Sequence, residues 1–221
     1  MTSAQTQPTP PSTRRQRRRL ETEVRLLQAA RALFLEKGYD ETTVAEIAEA
    51  ADVAYGTFFN HFPAKSDLLA EMGAHEVADI SEHLSALAQG AGGIDETLIA
   101  LFDSFAERLA SASPLERALA ARIQSVVFTG APEDRDRDFQ HAFVSFVRRT
   151  AAAGRVRADI PPETLADLLA SAFSAMALSW VHMPAFPVRQ RARAMAGLLG
   201  ETLAPRGPRQ PEPSPESSNA P

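Results

Sequence analysis

An all-α fold of about nine helices is what this sequence predicts, on three observations. Apolar residues recur at three- and four-residue intervals along most of the 221-residue chain. No alternating β-branched run and no Asn-Gly hairpin turn is present. Prolines and glycines stand where helices would start and stop, as at Gly38, Pro63, Pro114, Pro132 and Pro161. A 44% hydrophobic content suffices for a packed core over most of the length.

The first helix is expected from about Arg19 to Lys37. Leu26, Leu27, Ala30, Leu33 and Phe34 share one of its faces, and Gly38 ends it. Thr43 opens the second helix as an N-cap, with Glu46 three residues on in the capping-box pattern. Val44, Ile47 and Ala48 form its apolar stripe; Asp52 and Val53 interrupt it. A short third helix follows over about Ala54 to His61, and Pro63 closes it. A long fourth helix runs from about Lys65 to Ala88, ahead of the linker "QGAGG". Four more lie near Ile94–Ser111, Pro114–Phe128, Pro132–Ala153 and Pro161–His182, and the last covers Val188–Leu203. Residues 1–18 and 205–221 have nothing to bury and read as disordered tails, the second rich in Pro and Ser.

Charge and composition narrow the function. The net charge of −5 argues against a general nucleic-acid coat protein. Yet Arg14, Arg15, Arg17, Arg18 and Arg19 cluster near the N-terminus, which suggests one directed electrostatic contact. Absence of cysteine excludes disulfides, thiolate catalysis and Cys-based metal sites. The stretch "LLASAFSAMALSWV" reads as too short and too rich in Ser to span a bilayer, so a cytoplasmic protein without membrane contact is expected. No nucleophile elbow, phosphate-binding glycine loop or His-Glu-x-x-His occurs, so an enzyme is not expected. Nor is a cofactor.

Two short helices joined by a tight turn outline a helix-turn-helix. Val53, Phe58 and Phe62 are placed to pack inward on the first two helices, and Tyr55, Thr57, Asn60 and His61 then point elsewhere. Such side chains reach phosphates and base edges. Gly56 leaves room for close approach of a DNA strand, and Lys65 begins a helix where ammonium and free amides meet a phosphate together. The plainer alternative is a helical hairpin with a solvated polar face.

The segment from about Leu20 to Met72 resembles the DNA-binding domain of the TetR (tetracycline repressor) family. The matching stretches are "AARALFLEKGYDETTVAEIAEAADV" and "GTFFNHFPAKSDLL". The resemblance implies a helix-turn-helix DNA-binding domain at 19–72 and a larger ligand-binding and dimerisation domain at 73–204. It implies a homodimeric transcriptional regulator, with repression the expected mode, on a near-palindromic double-stranded operator and released by a small-molecule effector. Thr43, Tyr55, Gly56, Thr57, Asn60, His61 and Lys65 would form the DNA-facing set. At position 59 the family usually has a tyrosine whose hydroxyl bonds a phosphate; this chain has Phe59, which would lie beside the backbone with a bare ring edge. Ala45 stands where many members place a longer polar residue. The rival reading is a helical small-molecule-binding or interaction protein with weak or lost DNA binding.

Other candidates follow. The Arg14–Arg19 cluster reads as a basic arm for the minor groove or the phosphates. His75, Asp79 and His83 share a helical face at metal-ligand spacing, but no fourth ligand is placed, so a solvated face and no metal site are expected. Phe102, Phe105, Val127, Phe128 and Phe143, with Gln124 and His141, are pocket candidates among residues that are mostly core. The last two helices are rich in small residues. In the resembled family such helices pair across a dimer, which points to Ala170, Phe173, Ala177, Trp180 and Ala194; an intramolecular contact is the alternative.

Overall fold

The structure, a computed structural model, describes residues 13–129 and 133–205, without the side chains of residues 127–129 and 133–137. The tail segments 1–12 and 206–221 lie outside that description. All regular structure among the described residues is α-helical. In order, the helices are α1 (Arg14–Lys37), α2 (Val44–Ala50), α3 (Tyr55–His61), α4 (Lys65–Ala88) and α5 (Ile94–Ser111). Then come α6 (Pro114–Thr129), α7 (Glu133–Ala152), α8 (Pro162–His182) and α9 (Val188–Leu203).

Helix α1 begins earlier than its apolar periodicity suggests. Thr13 caps it: its hydroxyl accepts from the Gln16 backbone N–H, and the Gln16 side chain accepts from the Thr13 N–H. This capping box makes Arg14–Arg19 the first turns of a helix rather than an extended arm. At the other end Gly38 adopts φ +92°, a backbone conformation that side-chain-bearing residues rarely take, and its N–H bonds Phe34 O.

The chain forms two compact units. One comprises the chain through Ile80 with Leu109–Asp138 and Leu178–Phe186. Its core joins Leu26, Ala30 and Phe34 of α1 to Ile47 of α2, Phe58 of α3, and Leu68, Leu69 and Met72 of α4. Leu119 of α6 belongs to the same core, with Ile123 and Val126 packed on it. Tyr39, in the α1–α2 turn, is the hub of a polar knot in this unit. The Lys65 ammonium lies 4.2 Å from its ring centroid and the Arg122 guanidinium 5.8 Å, while Arg122 also pairs with Asp40.

The second unit comprises Ser81–Arg108, Phe139–Ala177 and the chain from Pro187. Five phenylalanines centre it. Phe173 of α8 stacks on Phe105 at 3.9 Å and lies edgewise or tilted against Phe102, Phe139 and Phe143. The buried Arg157 is held by both Asp159 oxygens at 2.7 Å and donates to Thr202 O at the end of α9. A Cβ on Gly200 would fall 3.1 Å from Asp95 Cα, so glycine there permits the close approach of α9 to the start of α5.

Helix α8 corrects the membrane argument in one respect. At 21 residues it is long and apolar enough, by length and composition, to cross a bilayer. Here, however, Leu165, Ala166, Leu169, Ala170, Phe173, Met176 and Trp180 are buried within the protein. Its apolar character is that of a core helix.

Candidate nucleic-acid interface

The helix-turn-helix is built by α2, its turn and α3. Thr43 caps α2 reciprocally with Glu46: Thr43 Oγ1 accepts from the Glu46 N–H at 3.3 Å, and Glu46 Oε2 accepts from the Thr43 N–H at 2.8 Å. Hydrogen bonds from Lys37 and Thr43 hold the Glu46 carboxyl at about 2, well below the ordinary carboxylate range. In the turn, Asp52 adopts φ +52°, a left-handed conformation that Asp tolerates better than most residues. Val53 N–H then reaches back to Ala48 O at 3.0 Å and reverses the chain into α3.

Helix α3 is two turns long, and one side of it is used up by packing. Phe58 is fully buried and Phe62, just past its end, nearly so; their rings lie 5.9 Å apart. This is the inward pair that four-residue spacing predicts. Tyr55, Gly56, Phe59 and Asn60 face outward, with Thr43 and Ala45 exposed on the neighbouring α2 segment. Tyr55 is 58% exposed and Phe59 44%; their rings meet edgewise at 5.3 Å, so they form one aromatic ridge. A Cβ added to Gly56 would meet nothing within 4 Å, so no internal packing requires glycine there.

Two expected DNA-facing residues, Lys65 and His61, have partners inside the protein. Thr57 is half-buried. Lys65 directs its ammonium to the carbonyls of Tyr39 and Thr42, both at 2.7 Å, and burial holds its pKa below the ordinary range. His61 Nδ1 lies 3.1 Å from Glu23 Oε1 on α1, and its side chain is only 9% exposed. The Glu23 and Tyr39 partnerships were invisible in the sequence, because each joins residues more than twenty positions apart.

The arginine cluster lies on the exposed first turns of α1. Arg19 bonds Glu23; Arg14, Arg15, Arg17 and Arg18 have no carboxylate partner among the described residues. No acidic residue stands in that first turn. Cations there oppose the positive end of the helix macrodipole, an arrangement that an external anion would relieve.

Away from this surface, His75 faces Glu71 and His83 bonds Ser104 Oγ at 3.1 Å. No group of metal-ligating side chains assembles among the described residues. Of the pocket candidates, Phe102, Phe105 and Phe143 belong to the buried aromatic cluster, and His141 is exposed. Gln124 carries a buried Oε1 without a partner, while the side chains of Val127 and Phe128 lie outside the described residues. Among the residues assigned to a dimer face, Ala170, Phe173 and Trp180 are buried within the single chain. They are spent on the interior: Phe173 on the phenylalanine cluster, Trp180 under the Arg117 guanidinium at 4.9 Å. Ala177 is half-buried and Ala194 exposed.

Comparisons with known proteins agree with this geometry. Residues 26–72 match the model of bacterial regulatory proteins, tetR family. The HTH-type transcriptional regulator TcmR of Streptomyces glaucescens is 30% identical over 195 residues, covering 73% of this chain and 85% of that protein. The HTH-type transcriptional repressor Rv1474c of Mycobacterium tuberculosis is 29% identical over 142 residues, covering 63% and 72% respectively. Among solved structures, Thermus thermophilus FadR, a TetR-family repressor in complex with lauroyl-CoA, superposes with a TM-score of 0.64 at 27% identity. That match covers 86% of this chain and 98% of FadR. A capped α2, a left-handed turn and an outward aromatic α3, inside a helical chain that matches these regulators over most of their length, lead to one assignment: the chain belongs to the TetR family of bacterial regulatory proteins.

Proposed function

We propose that the chain binds a near-palindromic DNA operator as a homodimer, represses transcription from it, and is released by a small-molecule effector. The observation that carries this reading is the outward face of α3, where Tyr55, Gly56, Phe59 and Asn60 are left over once the core is satisfied. Tyr55 and Asn60 have hydrogen-bonding reach to base edges. The arginines of α1 that have no carboxylate partner among the described residues supply the phosphate attraction that an otherwise acidic chain lacks. A cytoplasmic location follows from binding chromosomal DNA.

Dimerisation is supported by what α8 and α9 leave outside. Leu168, Ser171, Ala175 and Leu178 recur at three- and four-residue steps along the exposed side of α8, and α9 exposes Ala194, Gly197 and Leu198. Small and apolar side chains repeated at that spacing suit a helix–helix seam. For the effector, an apolar body fits the phenylalanine-rich unit. Thermus thermophilus FadR, in complex with lauroyl-CoA, supports an effector with a long apolar portion.

Selection of duplexes from a random pool by the purified chain tests the reading. The expected result is an enriched sequence of two related half-sites about one helical turn apart or a multiple of it. Replacing Arg14, Arg15, Arg17 and Arg18 together with Gln should then flatten the salt dependence of binding, by about 0.9 in the log–log slope per lost phosphate contact. A pool that stays random, or an unchanged slope, would remove the operator or the arginines from the mechanism respectively.

A further inference from the structure

One carboxylate oxygen joins α1 to α3. Glu23 Oε1 accepts from Arg19 Nε at 3.0 Å and lies 3.1 Å from His61 Nδ1. Burial pushes the Glu23 carboxyl up, but the hydrogen bonds from Arg19 and His61 outweigh it, so the group stays below its ordinary value. An ionised carboxylate only accepts, so Nδ1 is the nitrogen that donates and the ring's orientation is set by α1.

The placement of His61 gives this bond leverage. At about 100° per residue, Phe58 and Phe62 define the buried seam of α3; Tyr55 and Phe59 flank it on one side, and His61 flanks it on the other by about 60°. Apolar burial of two rings is non-directional and leaves the roll of a two-turn helix loosely defined. A hydrogen bond is directional. A roll of about 20° moves side-chain atoms roughly 6 Å from the axis by about 2 Å, more than a base contact tolerates.

We propose that Glu23 is a positioning residue for DNA reading: through His61 it fixes the roll of α3, and through Arg19 it holds the basic turns of α1 in the same frame. The inference rests on the DNA-binding reading above. Phosphate contacts from α1 and base contacts from Tyr55 and Asn60 then reach the duplex in register, one set positioning and the other specifying. Simple electrostatics predicts the opposite sign. Glu23 is an anion beside a surface for phosphates, so its removal should tighten all DNA binding alike.

The test compares the intact chain with Glu23→Ala and Glu23→Gln. The probes are the duplex enriched by the unmodified protein and a random-sequence duplex of equal length. Glu23→Ala should bind the enriched duplex about fivefold or more weakly while binding the random duplex as well or better. Glu23→Gln keeps an acceptor for Nδ1 without the charge, and should restore most of the discrimination. In the DNA-free proteins, amide exchange of α3 should accelerate in Glu23→Ala and return toward the parent rate in Glu23→Gln, with α2 unchanged. Equal tightening on both duplexes, equal weakening on both, or unaltered exchange in α3 overturns the proposal. Failure of the unmodified protein to enrich any duplex removes the DNA-binding reading itself, whereas the exchange comparison still reports whether Glu23 holds α3.

Discussion

Helix α3 buries Phe58 alone and leaves Tyr55, Gly56, Phe59 and Asn60 outside; helix α8 buries Leu165, Ala166, Leu169, Ala170, Phe173, Met176 and Trp180 and leaves Leu168, Ala175 and Leu178 outside. Composition suggests a different division. A helix carrying three aromatics in seven residues resembles core, and a helix full of alanines resembles a close-contact surface. What separates them is the remainder after internal packing is satisfied. In α3 that remainder is aromatic and amide, which suits a nucleic-acid groove. In α8 it includes Leu168, Ala175 and Leu178 along one side, which suits another helix. The small residues Ala166 and Ala170 serve the inside, where Phe173 needs room among four other phenylalanines.

The largest expected effect sharpens the α8 side of this contrast. Leu198, on α9, is 66% exposed in the single chain, so Leu198→Glu should leave its fold intact. In a dimer seam the same change buries a charge with no partner. Native mass should fall to that of a monomer, with helical circular dichroism retained and operator affinity reduced about a hundredfold through loss of the second half-site. Ala170→Asp should instead unfold the chain, because Ala170 is 4% exposed and internal. A dimeric Leu198→Glu protein would move the interface away from this face.

On α3 the expected effects are smaller and concern sequence preference. Asn60→Ala and Tyr55→Ala should each relax discrimination at a defined position of the enriched duplex by roughly 1–3 kcal/mol. Uniform weakening on every sequence would assign those side chains to phosphates instead.

The two helices also differ in how much of them was legible in sequence. Helix boundaries, the Thr43–Glu46 cap and the inward Phe58 and Phe62 follow from local pattern, because period and capping are written in neighbouring residues. Neighbouring residues also wrote the Thr13–Gln16 cap; apolar periodicity masked it, since the first turns of α1 carry arginines and no core residue. Glu23–His61 and Lys65 with the Tyr39 and Thr42 carbonyls had no such signal. They are tertiary contacts, and each gives a residue of the expected DNA-facing set a partner inside the protein. The burial of Phe173 and Trp180 within the single chain was hidden for the same reason, as which side of α8 faces inward depends on partners elsewhere in the chain.

Gly56 breaks the contrast if α3 faces only solvent. Its absent Cβ would meet open space, and its φ lies outside the left-handed region. Gly56→Ala should therefore stabilise the protein by about 0.5–1 kcal/mol through helix propensity. Against DNA the added methyl intrudes on a close approach, and overpacking of that kind costs on the order of 1 kcal/mol or more. Thermal unfolding and operator titration should move in opposite directions. A variant both more stable and equally tight on DNA would show that α3 stands off from the duplex at this point.

Phe59 gives the smallest effect and the finest test. Its ring is 44% exposed and packs edgewise on both Tyr55 and Phe58, at 5.3 and 5.2 Å, so it spans the border between core and outward face. An added para-hydroxyl therefore has a route to solvent without disturbing Phe58. Where a phosphate lies beside that edge, the hydroxyl gains a charge-assisted hydrogen bond worth roughly 1.5–3 kcal/mol when well formed, and less at an exposed site. Phe59→Tyr should accordingly tighten operator binding several-fold, tighten random-sequence binding by a similar factor, and leave base preference unchanged, because a phosphate contact positions without reading. Weaker binding would mean that the ring edge meets apolar surface such as a thymine methyl, where a hydroxyl is desolvated without a partner. A shifted base preference would mean that position 59 reads sequence, and that the aromatic ridge it forms with Tyr55 enters the groove as one unit.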